Sequence, residues 1–246
     1  MFAPLDFAGP SPFNDWFAPD TVQRMPLGVK VCAVDPFWGY GEFVYIKSND
    51  AILKGSLVAI GGAAVAAGVQ TRTLGTLLPS TAGQGFPFGV AMAPMASGTF
   101  GWVQVAGTVV YKTNATVAAD TAVAVAAAGI VGTLANGKQL LGVRNTKAAT
   151  GTDTAVVNTT NGSYVLTFRD GYDGFFLGEA ITGTGIPAST VIAKLDPDGR
   201  TVYMGSAIGT VGDKLATATG SITLTGTYTG FGQGFVQYPF AQGQIV

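Results

Sequence analysis

From residue 29 onward the apolar positions recur with a period of two, the spacing that places alternate side chains on opposite faces of an extended strand. Val29-Lys30-Val31-Cys32-Ala33-Val34 alternates in this way. A Pro- and Gly-jointed turn, Asp35-Pro36-Phe37-Trp38-Gly39-Tyr40-Gly41, follows it. The next run, 42–47, sets Phe43 and Tyr45 on one face and Val44 and Ile46 on the other. Further short apolar runs lie at 56–60, 88–92, 102–111 and 140–144. Strand-length runs broken by turn residues at this regular spacing predict an all-β sandwich or barrel.

Residues 115–128 are ambiguous, because Ala is the best helix former. The Ala122-Val123-Ala124-Val125 alternation and the nearby Thr121, Asp120 and Gly129 favour a strand. Near residue 149 the texture changes to Thr, Gly and Asp, with short β units at 164–168, 190–194, 201–204 and 222–225. Residues 149–227 hold seven acids and four bases, against seven acids and nine bases in the remainder. Aromatic strand texture returns at 234–240. The predicted architecture is therefore all-β, with a Gly/Ala-rich β-barrel or sandwich domain over 27–148 plus 228–246. A second, small β-sandwich domain is inserted over 149–227, and an extended arm precedes both over 1–26.

The arm has no period. Phe2, Phe7, Phe13, Trp16 and Phe17 alternate irregularly with Pro4, Pro10, Pro12 and Pro19. Proline at this density prevents a continuous helix or a central strand. Aromatics at this density are costly to leave in water, so the arm is expected to press onto a neighbouring subunit or to fold back on its own domain. Phe7, Phe13, Trp16 and Phe17 are the expected partner-binding residues.

Composition narrows the chemistry. The 246 residues include 36 Gly and 48% hydrophobic residues but only 11% charged ones, with a net charge of −1. Disordered chains are charged and poor in apolar residues, so this chain is expected to fold. Without a basic field, nucleic-acid binding is not expected. The apolar stretches 55–69 and 117–131 are shorter than the ~20 residues a membrane helix needs. Residues 1–6 show neither the basic nor the apolar region of a secretory signal. So few charges also suggest that much of the surface is covered by partners.

The chain has no His and a single Cys, which removes the commonest general base, the Ser-His-Asp arrangement and any Cys-based zinc site. Cys32, within an apolar run, reads as a small buried hydrophobe. Asp170 and Asp173 are the carboxylate pair for a glycosidase-like mechanism, but their Gly neighbours favour a β-turn. Asp196-Pro197-Asp198-Gly199 lacks the later ligands of a calcium loop and also reads as a turn. Gly183-Thr184-Gly185-Ile186-Pro187-Ala188 has no βαβ setting and is not a dinucleotide loop. Three glycosylation sequons, at Asn114, Asn158 and Asn161, mark surface loops. No catalytic, cofactor-binding or metal-binding residue is assigned, and no enzymatic activity is expected.

Three segments carry a family resemblance. They are the run from Asp35 to Lys47, the strand Phe100-Gly101-Trp102-Val103-Gln104-Val105-Ala106-Gly107, and the closing Phe235-Val236-Gln237-Tyr238-Pro239-Phe240. Together they resemble head decoration (capsid cement) proteins of tailed phages, with their Gly/Ala-rich β domain and "G-W-x-Q-x-x-G" strand. Residues 178–192 are similar to a Thr/Gly-rich β module that recurs in phage structural proteins. The resemblance implies a virion protein on the outer capsid surface. Such a protein binds the major capsid protein, self-associates as a homotrimer, and cross-links coat subunits, with the insert facing outward. A tail-fibre or receptor-binding adhesion protein is the alternative. Trp102, Phe43 and Tyr45 are expected in the core.

Overall fold

The computed structural model describes residues 3–4, 19–35, 39–61, 74–83, 85–114, 117–172, 174–196 and 198–241. The described residues are all-β, 56% of them in strands and none in a helix. It divides into two compact units, Thr150–Thr229 and the residues on either side of that segment.

The flanking unit, the β domain, is built on a nine-stranded sheet. Its strands are β1 (Ala3–Pro4), β2 (Lys30–Asp35), β3 (Gly39–Ser48), β4 (Leu57–Ile60), β5 (Leu74–Leu77), β6 (Phe88–Ala91) and β7 (Phe100–Lys112). A two-stranded hairpin, β8 (Val123–Ala127) and β9 (Ile130–Thr133), precedes β10 (Leu140–Asn145). The last sheet strand, β18 (Phe231–Ala241), comes after the inserted unit. The order is β1-β2-β3-β5-β4-β6-β7-β18-β10, and β3 also pairs directly with β7. Hydrogen bonding thus runs in a closed circuit through β3, β5, β4, β6 and β7. The segment 115–128, ambiguous in sequence, contributes β8, as its Val alternation predicts.

Both faces of β3 are apolar because both are buried. Phe43 and Tyr45 pack with Val31, Ala33, Met92 and Trp102 on one side. Val44 and Ile46 pack with Val58, Met95, Val103 and Val105 on the other. The Tyr45 and Trp102 ring centroids lie 5.0 Å apart. The Tyr45 hydroxyl donates to Asp20 at 2.8 Å, and Arg24 pairs with Asp20 at 2.8 Å. Burial pushes the Tyr45 phenol up to about 12, so it stays a donor at any ordinary pH. The backbone of Asp20 also exchanges hydrogen bonds with Phe100. Asp20 and Arg24, within the expected 1–26 arm, are therefore bound into the β domain. A third cluster lies beneath the β8–β9 hairpin, where Val123, Val125 and Val131 pack with Val109, Tyr111 and Leu57. The Tyr111 hydroxyl donates to the buried Asn145 at 2.6 Å.

The inserted unit comprises β11 (Thr150–Thr159), β12 (Val165–Phe168), β13 (Ala180–Thr182), β14 (Thr190–Leu195), β15 (Thr201–Ala207), β16 (Thr210–Val211) and β17 (Gly220–Thr229). The order β12-β11-β17-β13-β14-β15 is closed by a β12–β15 pairing. The six strands thus form a closed barrel, which refines the expected sandwich. β11 and β17 pair without interruption from Thr150↔Thr229 to Thr159↔Gly220. β11 escapes an apolar-run reading because Thr150, Thr152, Thr154 and Asn158 occupy its exposed positions. Phe168, Phe175, Leu166, Ile192, Met204 and Leu224 fill the interior. Phe168 meets Phe175 edge-on at 5.0 Å.

Two outcomes follow from this packing. Residues 150–229 expressed alone should fold, because the barrel closes on itself around its own core. A dispersed amide spectrum and a cooperative thermal transition are expected, and a random-coil spectrum would refute it. In the β domain, Gly107 has φ +105°, and an added Cβ would lie 2.3 Å from the Tyr40 carbonyl oxygen. Gly107→Ala should therefore lower stability by at least ~1–3 kcal/mol in urea denaturation.

Candidate functional site

The alternation of β3 turns Tyr40 and Glu42 outward, while Gly41 and Phe43 face the sheet. β2 follows the same register, with Cys32 opposite Glu42 and Val34 opposite Tyr40. β7 carries an extra residue here, because Glu42 pairs with Ala106 and Phe43 with Gln104. The amide of buried Gln104 donates to the carbonyls of Ala106 at 3.1 Å and Thr108 at 2.9 Å, which supports this bulged stretch. A second irregularity occurs where β10 passes from Leu141↔Phe240 to Val143↔Val236. Gly142 there has φ +69°, and an added Cβ would come within 2.5 Å of the Gln237 carbonyl oxygen. Opposite it, the bulge in β18 turns both Gln237 and Tyr238 to solvent.

These irregularities bring Tyr40, Glu42, Ala106, Gly107, Thr108, Phe235, Gln237 and Tyr238 around one cleft of about 340 Å³. Tyr40, Phe235 and Tyr238 are 46%, 45% and 55% exposed, so each buries part of its ring and leaves the rest available. Glu42 holds the group together. Tyr40 donates to its Oε1 at 2.6 Å, and Tyr238 donates to its Oε2. The Cys32 thiol lies against the same Tyr40 hydroxyl, its Sγ 3.0 Å from the oxygen. Lys30 Nζ lies 5.2 Å from the centre of the Tyr238 ring.

The electrostatics follow from these bonds. The hydrogen bond from Tyr238, then that from Tyr40, holds the Glu42 carboxyl below its ordinary range. Hydrogen bonding to Cys32 and then to Glu42 pushes the Tyr40 phenol up. Tyr238 is raised by its bond to Glu42. At neutral pH the site is a carboxylate clamped by two neutral phenols, with an ammonium on one ring.

The residues singled out in the sequence fall in several settings. Phe7, Phe13, Trp16 and Phe17 lie outside the described residues. Cys32 is half-exposed rather than buried, since Val31 and Ala33 take the inward positions and leave it on the outer face. Phe43, Tyr45 and Trp102 are buried in the core. Asp170 is exposed and paired with Arg169 at 3.2 Å, and Asp173 lies outside the described residues. Asp198 caps a turn, accepting from the backbone amides of Arg200 and Thr201. Gly183 accepts from the Ile186 amide in the turn between β13 and β14. Among the described residues no three His, Cys, Asp or Glu side chains converge to hold a metal. No helix of the described residues is long and apolar enough to cross a membrane. Sequence reasoning missed the Glu42 cluster, because its members come from three separated runs. The available signal was Tyr238-Pro239, a β-strand proline that marks a bulge or edge.

Tyr238→Phe removes the larger of the two bonds on Glu42. Its carboxyl should then titrate closer to the ordinary glutamate value in a ¹³C-detected NMR titration. Because the folded-state value is depressed, this interaction stabilises the fold above the ordinary carboxylate range. The stabilisation is lost as pH falls through the lowered value, and the variant should lose less of it. An unshifted Glu42 titration would show that the phenol does not control the carboxylate.

Comparison of the chain with family models, curated proteins and solved structures finds no match.

Proposed function

We propose that this chain is a structural protein of a tailed-phage particle. In this reading it is a decoration or cement protein that binds the outer surface of the head and links neighbouring major capsid subunits, itself self-associating as a homotrimer. The observation that carries the reading is a set of large apolar side chains left in water by the β domain. Val22, Val34, Leu53, Leu134, Leu141 and Phe240 are all exposed, on a chain with only 13 basic and 14 acidic residues. A surface of this kind suits a protein that works by burying area, at roughly 25 cal/mol per Å² before association costs. The Gly101-Trp102-Val103-Gln104-Val105-Ala106-Gly107 strand supports the same reading through its resemblance to decoration proteins. In β7, Trp102 is a core residue and Gln104 an internal brace.

A second reading, an adhesion protein of the tail, draws support from the inserted barrel. β11 and β17 place Thr150 opposite Thr229, Thr152 opposite Thr227 and Thr154 opposite Thr225. This ladder of hydroxyls suits contact with a hydroxylated host surface.

Copy number in purified virions separates the two readings. Near parity with the major capsid protein is the expected result, and a handful of copies would favour adhesion. Absence from the particle would overturn both. The aromatic arm is tested by replacing Phe7, Phe13, Trp16 and Phe17 together with Ala. Particle binding should weaken while thermal unfolding of the β domain is unchanged, and undiminished binding would remove the arm from the interface.

A further inference from the structure

We propose that the Glu42 cleft of the β domain is a saccharide-binding site, with Tyr40, Phe235 and Tyr238 as the platform for a pyranose ring. A solvent-facing tyrosine ordinarily samples several rotamers and loses that freedom when a ligand settles on it. Here two such tyrosines share one carboxylate, each donating to a different oxygen of Glu42. Lys30 further engages the Tyr238 ring. The Cys32 thiol lies against the Tyr40 hydroxyl. The rings are thus set in place before any ligand arrives, which is the arrangement a weakly binding, largely apolar contact requires.

The lining selects the ligand class. Partly exposed aromatic rings bind the C–H face of a flat, amphipathic molecule. The amide of Gln237 and the hydroxyl of Thr108 line the same cleft and can exchange hydrogen bonds with ring hydroxyls. A cleft of about 340 Å³ lies at the small end of the usual range for ligand sites, which suits one or two sugar rings. A cationic side chain fits less well. Both oxygens of Glu42 already accept a phenol proton, and the Lys30 charge beside the cleft offsets the carboxylate and repels a second cation. The cleft is formed by the isolated chain alone, so binding there is independent of the virion assignment.

The test uses the full-length protein with ¹³C-labelled tyrosine and phenylalanine, titrated separately with five neutral probes. These are the methyl glycosides of glucose, galactose, mannose, rhamnose and N-acetylglucosamine. Saturable shifts at Tyr40, Tyr238 and Phe235, with at least one glycoside in the millimolar range, are expected. Phe235→Ala should weaken that binding about tenfold, a change of ~1.4 kcal/mol. Phe235 is half-exposed, and an unchanged amide spectrum will show that the variant keeps its fold. Tyr238→Phe keeps the ring but frees it from Glu42, so it should weaken binding to a smaller extent. The proposal is overturned if none of the five glycosides shifts these rings, or if Phe235→Ala binds as well as the parent protein. It is equally overturned if N-acetyl-arginine amide binds the cleft and the glycosides do not. None of these results bears on virion copy number, so failure here leaves the decoration reading standing.

Discussion

The β domain depends on β7 hydrogen-bonding along both of its edges. One edge carries β3, from Lys47↔Phe100 to Gly41↔Gly107. The other carries β6 at Val103 and Gln104, then β18 from Ala106 to Lys112. A strand used this way has no free edge and no solvent face over much of its length, which explains why Gly101 to Gly107 are all buried. The glycine at the end of that stretch has a steric cause. The Tyr40 carbonyl oxygen stands where a Gly107 Cβ would be, so the β3–β7 pairing continues there only past a residue without a side chain. The 13 residues of β7 thus join the closed circuit through β3–β6 to the strand that returns after the insertion.

The cleft at Glu42 is a by-product of the same constraint. Regular alternation sets Tyr40 and Glu42 on one face of β3, within hydrogen-bonding reach, but β18 lies on the far side of β7 from β3. The extra residue in β7 and the bulge of β18 opposite Gly142 break the alternation at neighbouring points. They thereby place residues from β3, β7 and β18 around one opening. Glu42 then supplies what a group of exposed aromatics lacks, a common acceptor that fixes two phenols at once.

The inserted barrel solves its edges differently. Pairing of β12 with β15 removes the free edges of the six-stranded ring, and Phe168, Tyr172 and Phe175 fill an interior of small aliphatic residues with interlocking rings. Tyr228, 7% exposed, is pushed up to about 12 chiefly by burial, with Asp153 and Glu179 nearby adding to the effect. It therefore remains a neutral phenol.

The period-two pattern by itself determined the strand content of this protein, because alternation is a property of neighbouring residues and survives without knowledge of partners. Val31, Ala33, Phe43 and Tyr45 lie inward, as alternation requires. The composition changes near residue 149, and the compact inserted unit begins at Thr150. β11 was not legible as a strand, because a barrel strand needs only its inward residues to be apolar and Thr serves on its outer face. Cys32 was misread because an apolar run does not say which of its alternate members face the core; that depends on register against β3. The Glu42 cluster was decided only by tertiary structure. Its tyrosines stand 198 positions apart in sequence, at 40 and 238, and only a bulge and a strand returning from beyond the insertion bring them to one carboxylate.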